Sequence, residues 1–124
     1  MNLIKLHVKT GGQKYPIFIG NNILSKFNYI LKKNLINFNR CLIVIDKNVP
    51  KKLIDKFLNS LPKKKILIHY FYSSEKNKNQ KSVDNILSIL LNNNFNRNDC
   101  VISIGGGITG DVSGFAASIF KRGL

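Results

Sequence analysis

The N-terminal stretch of the chain alternates apolar and polar positions with a period of two. Residues 3–8 and 15–19 each show this alternation, which is typical of a β-strand. The segment 11–14 between them begins with two glycines and is predicted to be a turn. Pro16 suits an edge strand, because proline has no N–H to donate to a neighbouring strand. The pattern therefore predicts an N-terminal β-hairpin.

From residue 23 onward, helical and strand-like patterns alternate along the chain. The helical segments are 23–35, 51–61, 82–91 and 111–121. The strand segments are 41–45, 66–72 and 101–104. Pro50 is predicted to open the second helix and Ser82 to cap the third, while the β-branched run 41–45 predicts a strand covered on both faces. This order predicts an α/β fold: a Rossmann-like parallel sheet with flanking helices and the N-terminal hairpin.

Three polar loops follow the three predicted strands. They span residues 46–48, 73–78 and 105–111. Parallel strands end at the same edge of a sheet, and ligands of α/β proteins bind at that carboxyl edge. We therefore expect these loops to converge on one binding site.

The third loop is unusually rich in glycine, with Gly105, Gly106, Gly107 and Gly110 ahead of a helix. Glycines let a backbone approach a phosphate closely, and a helix start offers free N–H groups and the positive end of its dipole. The spacing also satisfies G-x-G-x-x-G between a strand and a helix. The segment predicts a phosphate cradle, with a tight turn as the alternative. Asp111 is predicted to cap the helix or to hold a sugar hydroxyl or amide.

The polar residues of the other loops leave two interpretations open. Asp46 and Asn48 are consistent with a local Asx turn or with a carboxylate that holds ribose hydroxyls. Glu75 and Lys78 are consistent with a solvated charge run or with ligand contacts at the sheet edge. Arg122 follows the last helix, where it can face the helix dipole or contact a phosphate or carboxylate.

The charge of the chain points towards nucleic acid, but its distribution does not. The formal net charge is +14, from 20 basic and 6 acidic residues. The basic residues are mostly lysines spread along the whole chain, and there is no basic surface interleaved with aromatic residues of the kind that binds single strands. We therefore expect solvated surface lysines and no nucleic-acid partner. No apolar run approaches the roughly 20 residues of a membrane span, so no membrane partner is expected.

The cysteines and histidines show no metal-ligand spacing. Cys41 and Cys100 each begin a predicted strand, and His7 and His69 lie within strands. We expect buried free thiols and structural histidines, with no metal site among them. A chain without a disulfide framework favours a reducing compartment.

Residues 104–123 carry a motif that can be compared with a known family. They read Ile-Gly-Gly-Gly-Ile-Thr-Gly-Asp-Val-Ser-Gly-Phe-Ala-Ala-Ser-Ile-Phe-Lys-Arg-Gly. This segment resembles GGG-[hydrophobic]-x-GD-x-[ST]-GF-x-A-[AS]-x-[FY]-x-RG of the 3-dehydroquinate synthase family. Residues 74–78 resemble its G-E-x-x-K loop, and 44–49 resemble its T-D-x-N-V segment. Ser73 and Ser74 depart from the usual Asp-Gly, and Asn79 stands where Ser or Thr is usual.

The resemblance implies a lyase of the shikimate pathway, which leads to chorismate and the aromatic amino acids. Such an enzyme converts 3-deoxy-D-arabino-heptulosonate 7-phosphate, a small sugar phosphate, to 3-dehydroquinate plus phosphate. It uses NAD catalytically and a divalent metal, zinc or cobalt, held in a helical second domain. Residues 1–124 would then be an incomplete N-terminal NAD-binding domain, inactive alone, with the metal-binding domain absent. The resemblance also implies a cytoplasmic homodimer.

The resemblance further assigns roles to individual residues, none of them catalytic or metal-binding. The cofactor-binding residues would be Asp46, Asn48, Ser73, Ser74, Glu75, Lys76, Asn77, Lys78, Gly106, Gly107, Ile108, Thr109, Gly110 and Asp111. Arg122 would bind the substrate phosphate. The alternatives are an iron-dependent alcohol or glycerol dehydrogenase, an inosose synthase relative, an inactive nucleotide-binding remnant, and an RNA-binding module supported only by charge.

Overall fold

The computed structural model describes residues 3–61, 65–121 and 123–124. The chain begins with an antiparallel hairpin of strands β1 (Leu3–Thr10) and β2 (Gln13–Gly20). Gly11 and Gly12 both have positive φ, 45° and 95°, as a two-residue hairpin turn of this hand requires. The predicted hairpin is confirmed. Its turn is shorter than predicted, because these two glycines alone reverse the chain.

The rest of the chain alternates helices with strands. In order, the elements are a 3₁₀ turn (Ile23–Lys26), α1 (Phe27–Lys33), β3 (Arg40–Asp46), α2 (Lys51–Ser60), β4 (Lys65–Phe71), a 3₁₀ turn (Glu75–Asn77), α3 (Gln80–Asn92), β5 (Cys100–Ile104) and α4 (Gly107–Ile119). Strands β3, β4 and β5 form a parallel sheet in the order β4-β3-β5. The predicted α/β fold with flanking helices is confirmed.

Strand β3 is the centre of the core. Its residues Cys41 to Ile45 are fully buried. Leu42 and Val44 pack into one apolar layer with residues of α3 and α4, and Ile43 and Ile45 pack into a second layer with residues of α1 and α2. A β-branched run covered on both faces is what a central parallel strand requires, and this prediction is confirmed.

The predicted starts of α3 and α4 are wrong. Helix α3 begins at Gln80 rather than at residue 82, because Asn79 caps it: the Asn79 side-chain oxygen accepts a 2.9 Å hydrogen bond from the Ser82 N–H. Ser82 is therefore not the N-cap. The first helical segment begins at residue 23, as predicted, but as a 3₁₀ turn that follows Asn22 at φ 57°.

Helix α4 begins at Gly107, four residues before its predicted start. Gly106 is the N-cap, and the Gly110 N–H donates to the Gly106 carbonyl at 3.1 Å. Glycine is a poor helix former, which is why residues 107–110 were predicted as loop. Packing of the helix against β5 and the core offsets that cost, since Val112 and Ala116 are buried in the sheet's first apolar layer.

The amino edge of the sheet is held by an ion pair between a buried aspartate and a partly buried arginine, which the sequence analysis did not predict. The Asp99 side chain is 1% exposed and lies 3.0 Å from the Arg40 guanidinium. Its two carboxylate oxygens also accept hydrogen bonds from the Arg40 N–H (3.1 Å) and the Asn96 N–H (2.9 Å). We call this Arg40–Asp99 pair the amino-edge clasp. It ties the start of β3 to the loop before β5.

The clasp satisfies both of its charges. The Arg40 guanidinium also donates to the carbonyls of Asn93 and Asn94 and lies 4.6 Å from the centre of the Phe95 ring. Burial alone would raise the pKa of Asp99, but the hydrogen bonds from Arg40 and Asn96 and the Arg40 charge hold that pKa below its usual value. The clasp is therefore a structural feature, in which the Arg40 guanidinium makes three hydrogen bonds within the domain.

Within the described ranges, none of the helices combines the length and apolar character needed to cross a bilayer.

Candidate functional site

The carboxyl edge of the sheet brings the three polar loops together, as predicted. Asp46 at the end of β3 pairs with Phe71 at the end of β4, and the Lys47 N–H donates to the Phe71 carbonyl at 3.0 Å. Strand β5 lies on the other side of β3 and ends at Ile104, next to the glycine loop. All three loops therefore leave the sheet side by side.

Asp46 forms a local turn at this edge. Its carboxylate accepts a 2.9 Å hydrogen bond from the Asn48 N–H, and its carbonyl accepts one from the Val49 N–H at 3.0 Å. This is an Asx turn, so the local interpretation of Asp46 and Asn48 is correct as geometry. The turn also fixes the partly exposed Asp46 carboxylate at the edge of the sheet.

Gly105 is enclosed by two side chains. Its φ is +153°, and an added Cβ would lie 2.8 Å from the Thr109 Oγ1 and 2.9 Å from the Asp46 Cβ. Both distances are too short for a real side chain, so the backbone passes between Asp46 and Thr109 only because residue 105 is glycine. This contact joins the glycine loop to the end of β3.

The other glycines of this loop are surrounded by open space. An added Cβ at Gly106, Gly107 or Gly110 would meet nothing within 4 Å. These residues surround the first turn of α4, whose leading N–H groups have no partner within the helix. The result is an open, side-chain-free surface at a helix N-terminus, where a phosphate group is favoured by both hydrogen bonding and the helix dipole.

Asp111 lies in the second turn of α4, so the prediction that it caps the helix is wrong. Its carboxylate accepts a 2.9 Å hydrogen bond from the Lys78 ammonium in the loop after β4. Both side chains are exposed, 46% for Lys78 and 61% for Asp111. The hydrogen bond with Asp111 and its charge raise the pKa of Lys78. The pair bridges two of the three loops.

A cavity of about 330 Å³ opens beside this pair, between the starts of α3 and α4. Val83, Val112 and Phe115 form its apolar wall, and Lys78 and Asp111 form its charged rim. Phe115 is half-exposed there. An apolar wall with a few polar groups is typical of a small-molecule site.

The remaining predicted residues of the second loop lie in and around the short 3₁₀ turn after β4. The Ser74 hydroxyl accepts from the Asn77 N–H at 3.3 Å, and the Asn77 amide donates to the Tyr72 carbonyl at 2.9 Å. Ser73 is partly buried next to them, whereas Glu75 and Lys76 are exposed. The serines that replace Asp-Gly therefore still build an ordered turn.

Two predicted residues of the third loop face inward. Ile108 packs against the core, and Thr109 is fully buried. The Thr109 hydroxyl has no hydrogen-bond partner, which is rare for a buried polar atom. Arg122, the predicted substrate-phosphate residue, lies outside the described residues.

Sequence reasoning missed the residues that connect the loops. It proposed ligand contacts for Lys78 and Asp111, but it did not pair them, and it did not predict the apolar wall that Phe115 contributes. The available signal was weak: a lysine and an aspartate, 33 residues apart, in two loops at the same sheet edge.

The described part of the chain holds no group of three or more His, Cys, Asp or Glu side chains that could bind a metal ion. The divalent metal that the resemblance implies therefore has no counterpart among these residues, and no step of its chemistry is derived from them.

The fold defines the class of protein first. The chain superimposes with a TM-score of 0.85 on the crystal structure of 2-deoxy-scyllo-inosose synthase complexed with carbaglucose-6-phosphate, NAD+ and Co2+. The match covers 98% of this chain and 33% of that one, at 21% identity. The chain thus shares the fold of the part of 2-deoxy-scyllo-inosose synthase that it matches.

The sequence then defines the family. A family model described as 3-dehydroquinate synthase N-terminal matches residues 68–124. The 3-dehydroquinate synthase of Pelagibacter ubique (strain HTCC1062) is 68% identical over 100% of this chain and 34% of its own length. That of Buchnera aphidicola subsp. Cinara cedri (strain Cc) is 38% identical over 96% of this chain and 32% of its own. The chain belongs to the 3-dehydroquinate synthase family, and it spans about a third of the length of these relatives.

Proposed function

We propose that this chain forms the NAD-binding part of a 3-dehydroquinate synthase. The intact enzyme would convert 3-deoxy-D-arabino-heptulosonate 7-phosphate to 3-dehydroquinate and release phosphate. The observation that carries the proposal is the open glycine surface at the start of α4, at the sheet edge where Asp46 and the Lys78–Asp111 pair also lie. The high identity to a named synthase supports the same conclusion.

The residues at this edge fit a dinucleotide. The side-chain-free surface of Gly106, Gly107 and Gly110 has room for a pyrophosphate, and the free N–H groups of α4 would bind it. The Asp46 carboxylate, fixed by its turn, suits a ribose hydroxyl. Bound NAD would accept a hydride from the substrate and later return it.

The proposal gives the second loop the task of positioning. The ordered turn after β4 would border the cofactor through Ser73, Ser74, Glu75, Lys76 and Asn77. Lys78 and Asp111 would be held by their hydrogen bond at the mouth of the apolar cavity and would contact the ribose and neighbouring groups. The hydrogen bond with Asp111 raises the pKa of Lys78 and so favours its charged form.

The proposal extends to the parts of the enzyme that these residues do not supply. A divalent metal and its ligands would come from a C-terminal domain, and Arg122 would contact the substrate phosphate in a homodimer. The intact mass of the native polypeptide tests the first point: a mass near three times the 14.0 kDa of this chain is expected. A mass near 14.0 kDa would contradict it.

Phosphate release by the intact protein tests the activity. We expect release from 3-deoxy-D-arabino-heptulosonate 7-phosphate that depends on NAD+, and none from glucose 6-phosphate, which would indicate an inosose synthase. Asp111→Ala should lower kcat/KM and weaken NAD+ binding, whereas Asp55→Ala, on the exposed face of α2, is the matched control and should change neither. Turnover that is unchanged in Asp111→Ala would contradict the assigned site.

A further inference from the structure

The two cysteines of the chain are direct neighbours in the sheet. Cys41 on β3 and Cys100 on β5 are paired across the parallel strands, and both are free thiols. They lie on the same side of the sheet, because Cys100 packs against the apolar layer that contains Cys41. Paired strands run about 4.8 Å apart, within the Cα separation that a disulfide spans.

Their positions differ in access to solvent. Cys41 is fully buried, whereas Cys100 is partly exposed. Cys100 is therefore the cysteine that a small oxidant reaches first, and Cys41 is its direct register partner on the neighbouring strand. An exposed attacking thiol beside a resolving thiol is the arrangement of a reversible thiol switch.

The amino-edge clasp holds the two thiols in register. Arg40 and Asp99 immediately precede Cys41 and Cys100, and the Arg40 N–H donates to the Asp99 carboxylate at 3.1 Å. The clasp thus fixes both strands one residue from the cysteines. Neither cysteine belongs to the site at the carboxyl edge, which lies at the other end of the same strands.

We propose that Cys41 and Cys100 form a reversible intramolecular disulfide when the protein meets a peroxide. This modification goes beyond the proposed synthase activity and does not depend on it. It would link β3 to β5 covalently at the amino edge, where the clasp already links them electrostatically.

The chemistry balances with hydrogen peroxide as the oxidant. The Cys100 thiolate attacks one peroxide oxygen, the O–O bond breaks, and hydroxide leaves, so that Cys100 becomes a sulfenic acid. The Cys41 thiolate then attacks the Cys100 sulfur and displaces hydroxide, which forms the S–S bond. The two hydroxides take up the two thiol protons as water. Two thiols and one peroxide thus yield one disulfide and two waters, and a dithiol reductant reverses the change.

The ionisation of the thiols makes the first step slow. The hydrogen bond between the two thiols lowers the pKa of Cys41 against the effect of its burial. The same hydrogen bond, together with burial and the nearby Asp99 charge, raises the pKa of Cys100. The resolving sulfur is therefore the more readily ionised one, and Cys100 is oxidised slowly and only when peroxide is abundant.

Intact-mass measurement on the whole protein, before and after hydrogen peroxide, tests the proposal without any substitution. We expect the mass to fall by two hydrogen atoms and the peptides that carry Cys41 and Cys100 to lose their labelling by iodoacetamide after denaturation. Dithiothreitol should restore both the mass and the labelling. Unchanged labelling of Cys41 and Cys100, or a covalent dimer in place of the internal link, would overturn the proposal.

Two variants separate the roles of the cysteines. Cys41→Ala should stop at a Cys100 sulfenic acid, which dimedone traps. Cys100→Ala should leave Cys41 unmodified, because that sulfur is buried. Dimedone labelling of wild type that equals that of Cys41→Ala would mean that Cys41 does not resolve the sulfenic acid, and the proposal would fail.

Discussion

The two edges of the parallel sheet each carry one ion pair, and the two pairs differ in almost every physical respect. At the amino edge, the Asp99 side chain is 1% exposed and accepts hydrogen bonds from two backbone N–H groups, those of Arg40 and Asn96, besides the Arg40 guanidinium. At the carboxyl edge, Lys78 and Asp111 make a single 2.9 Å contact and are 46% and 61% exposed. The Arg40–Asp99 pair therefore stabilises the fold. The Lys78 ammonium and the Asp111 carboxylate can still donate and accept further hydrogen bonds.

This difference indicates how the domain divides its tasks. A buried pair with all its partners made resists change, because removing one partner leaves the other charge unpaired out of water. An exposed pair contributes little to stability and can exchange its partner for a ligand. The same chemistry therefore supports the fold at one edge of the sheet and a ligand site at the other.

Replacing the aspartate of each ion pair in turn should give the largest difference between the two edges. Asp99→Ala removes the charged partner of Arg40 and the acceptor of two backbone N–H groups, so we expect a loss of about 3–5 kcal/mol in the free energy of unfolding. Asp111→Ala should leave the urea midpoint unchanged, since its side chain is exposed. Equal losses in the two variants would mean that both pairs are structural.

The glycines of the third loop give the next largest contrast. Gly105→Ala places a Cβ 2.8 Å from Thr109 Oγ1 at a φ of +153°, which should lower the free energy of unfolding by about 1–3 kcal/mol. Gly107→Ala has open space, so it should fold as wild type but bind NAD+ more weakly. Urea unfolding and calorimetric titration measure the two effects. Normal NAD+ affinity in Gly107→Ala would argue against a phosphate at this helix start.

Acid pH should act on the amino edge in particular. The folded-state pKa of Asp99 is lowered, so its ionised form adds stability at pH values above the ordinary carboxyl pKa of about 3.9, and that stability is lost as the pH falls below this value. The urea midpoint of the wild type should therefore drop below about pH 4. Asp99→Asn should have a lower urea midpoint at neutral pH, and that midpoint should fall less steeply with acid. If the urea midpoints of the two proteins fall in parallel as the pH is lowered, a lowered pKa for Asp99 is contradicted.

The smallest predicted effect concerns the buried hydroxyl at the start of α4. Thr109→Val keeps the shape of the side chain and removes an oxygen that has no partner, so we expect a gain of about 1 kcal/mol in the free energy of unfolding. Thermal unfolding with and without NAD+ measures it. A loss of stability without ligand would indicate that the Thr109 hydroxyl is satisfied in solution.

The fold was predictable where the signal is local. The period of two in the hairpin marks extended strands, although β1 is exposed along almost its whole length. The uninterrupted apolar run at 41–45 comes from burial on both faces. Both assignments are confirmed. The start of α4 was not predictable from propensity, because Gly107 and Gly110 are helical only in the context of packing on β5. The capping role of Asn79 was not predicted either, because Ser82, three residues later, is also of a type that caps helices well.

The site was predictable as a location rather than as a set of contacts. Parallel topology alone placed residues 46, 73–78 and 105–111 at one edge. The contacts within the site and within the amino-edge clasp depend on partners far apart in sequence: 33 residues for Lys78 and Asp111, and 59 for Arg40 and Asp99. No periodic pattern marks such pairs, since each charge looks like an ordinary surface residue until the chain has folded.

The central claim, that the carboxyl edge binds NAD and the amino edge holds the fold, is tested most directly by amide chemical shifts in the intact protein during titration with NAD+. The account predicts shift changes at Gly106, Gly107 and Asp111 and none at Arg40 or Asp99. Changes at the amino edge, or none at the glycine loop when NAD+ is in excess, would contradict it.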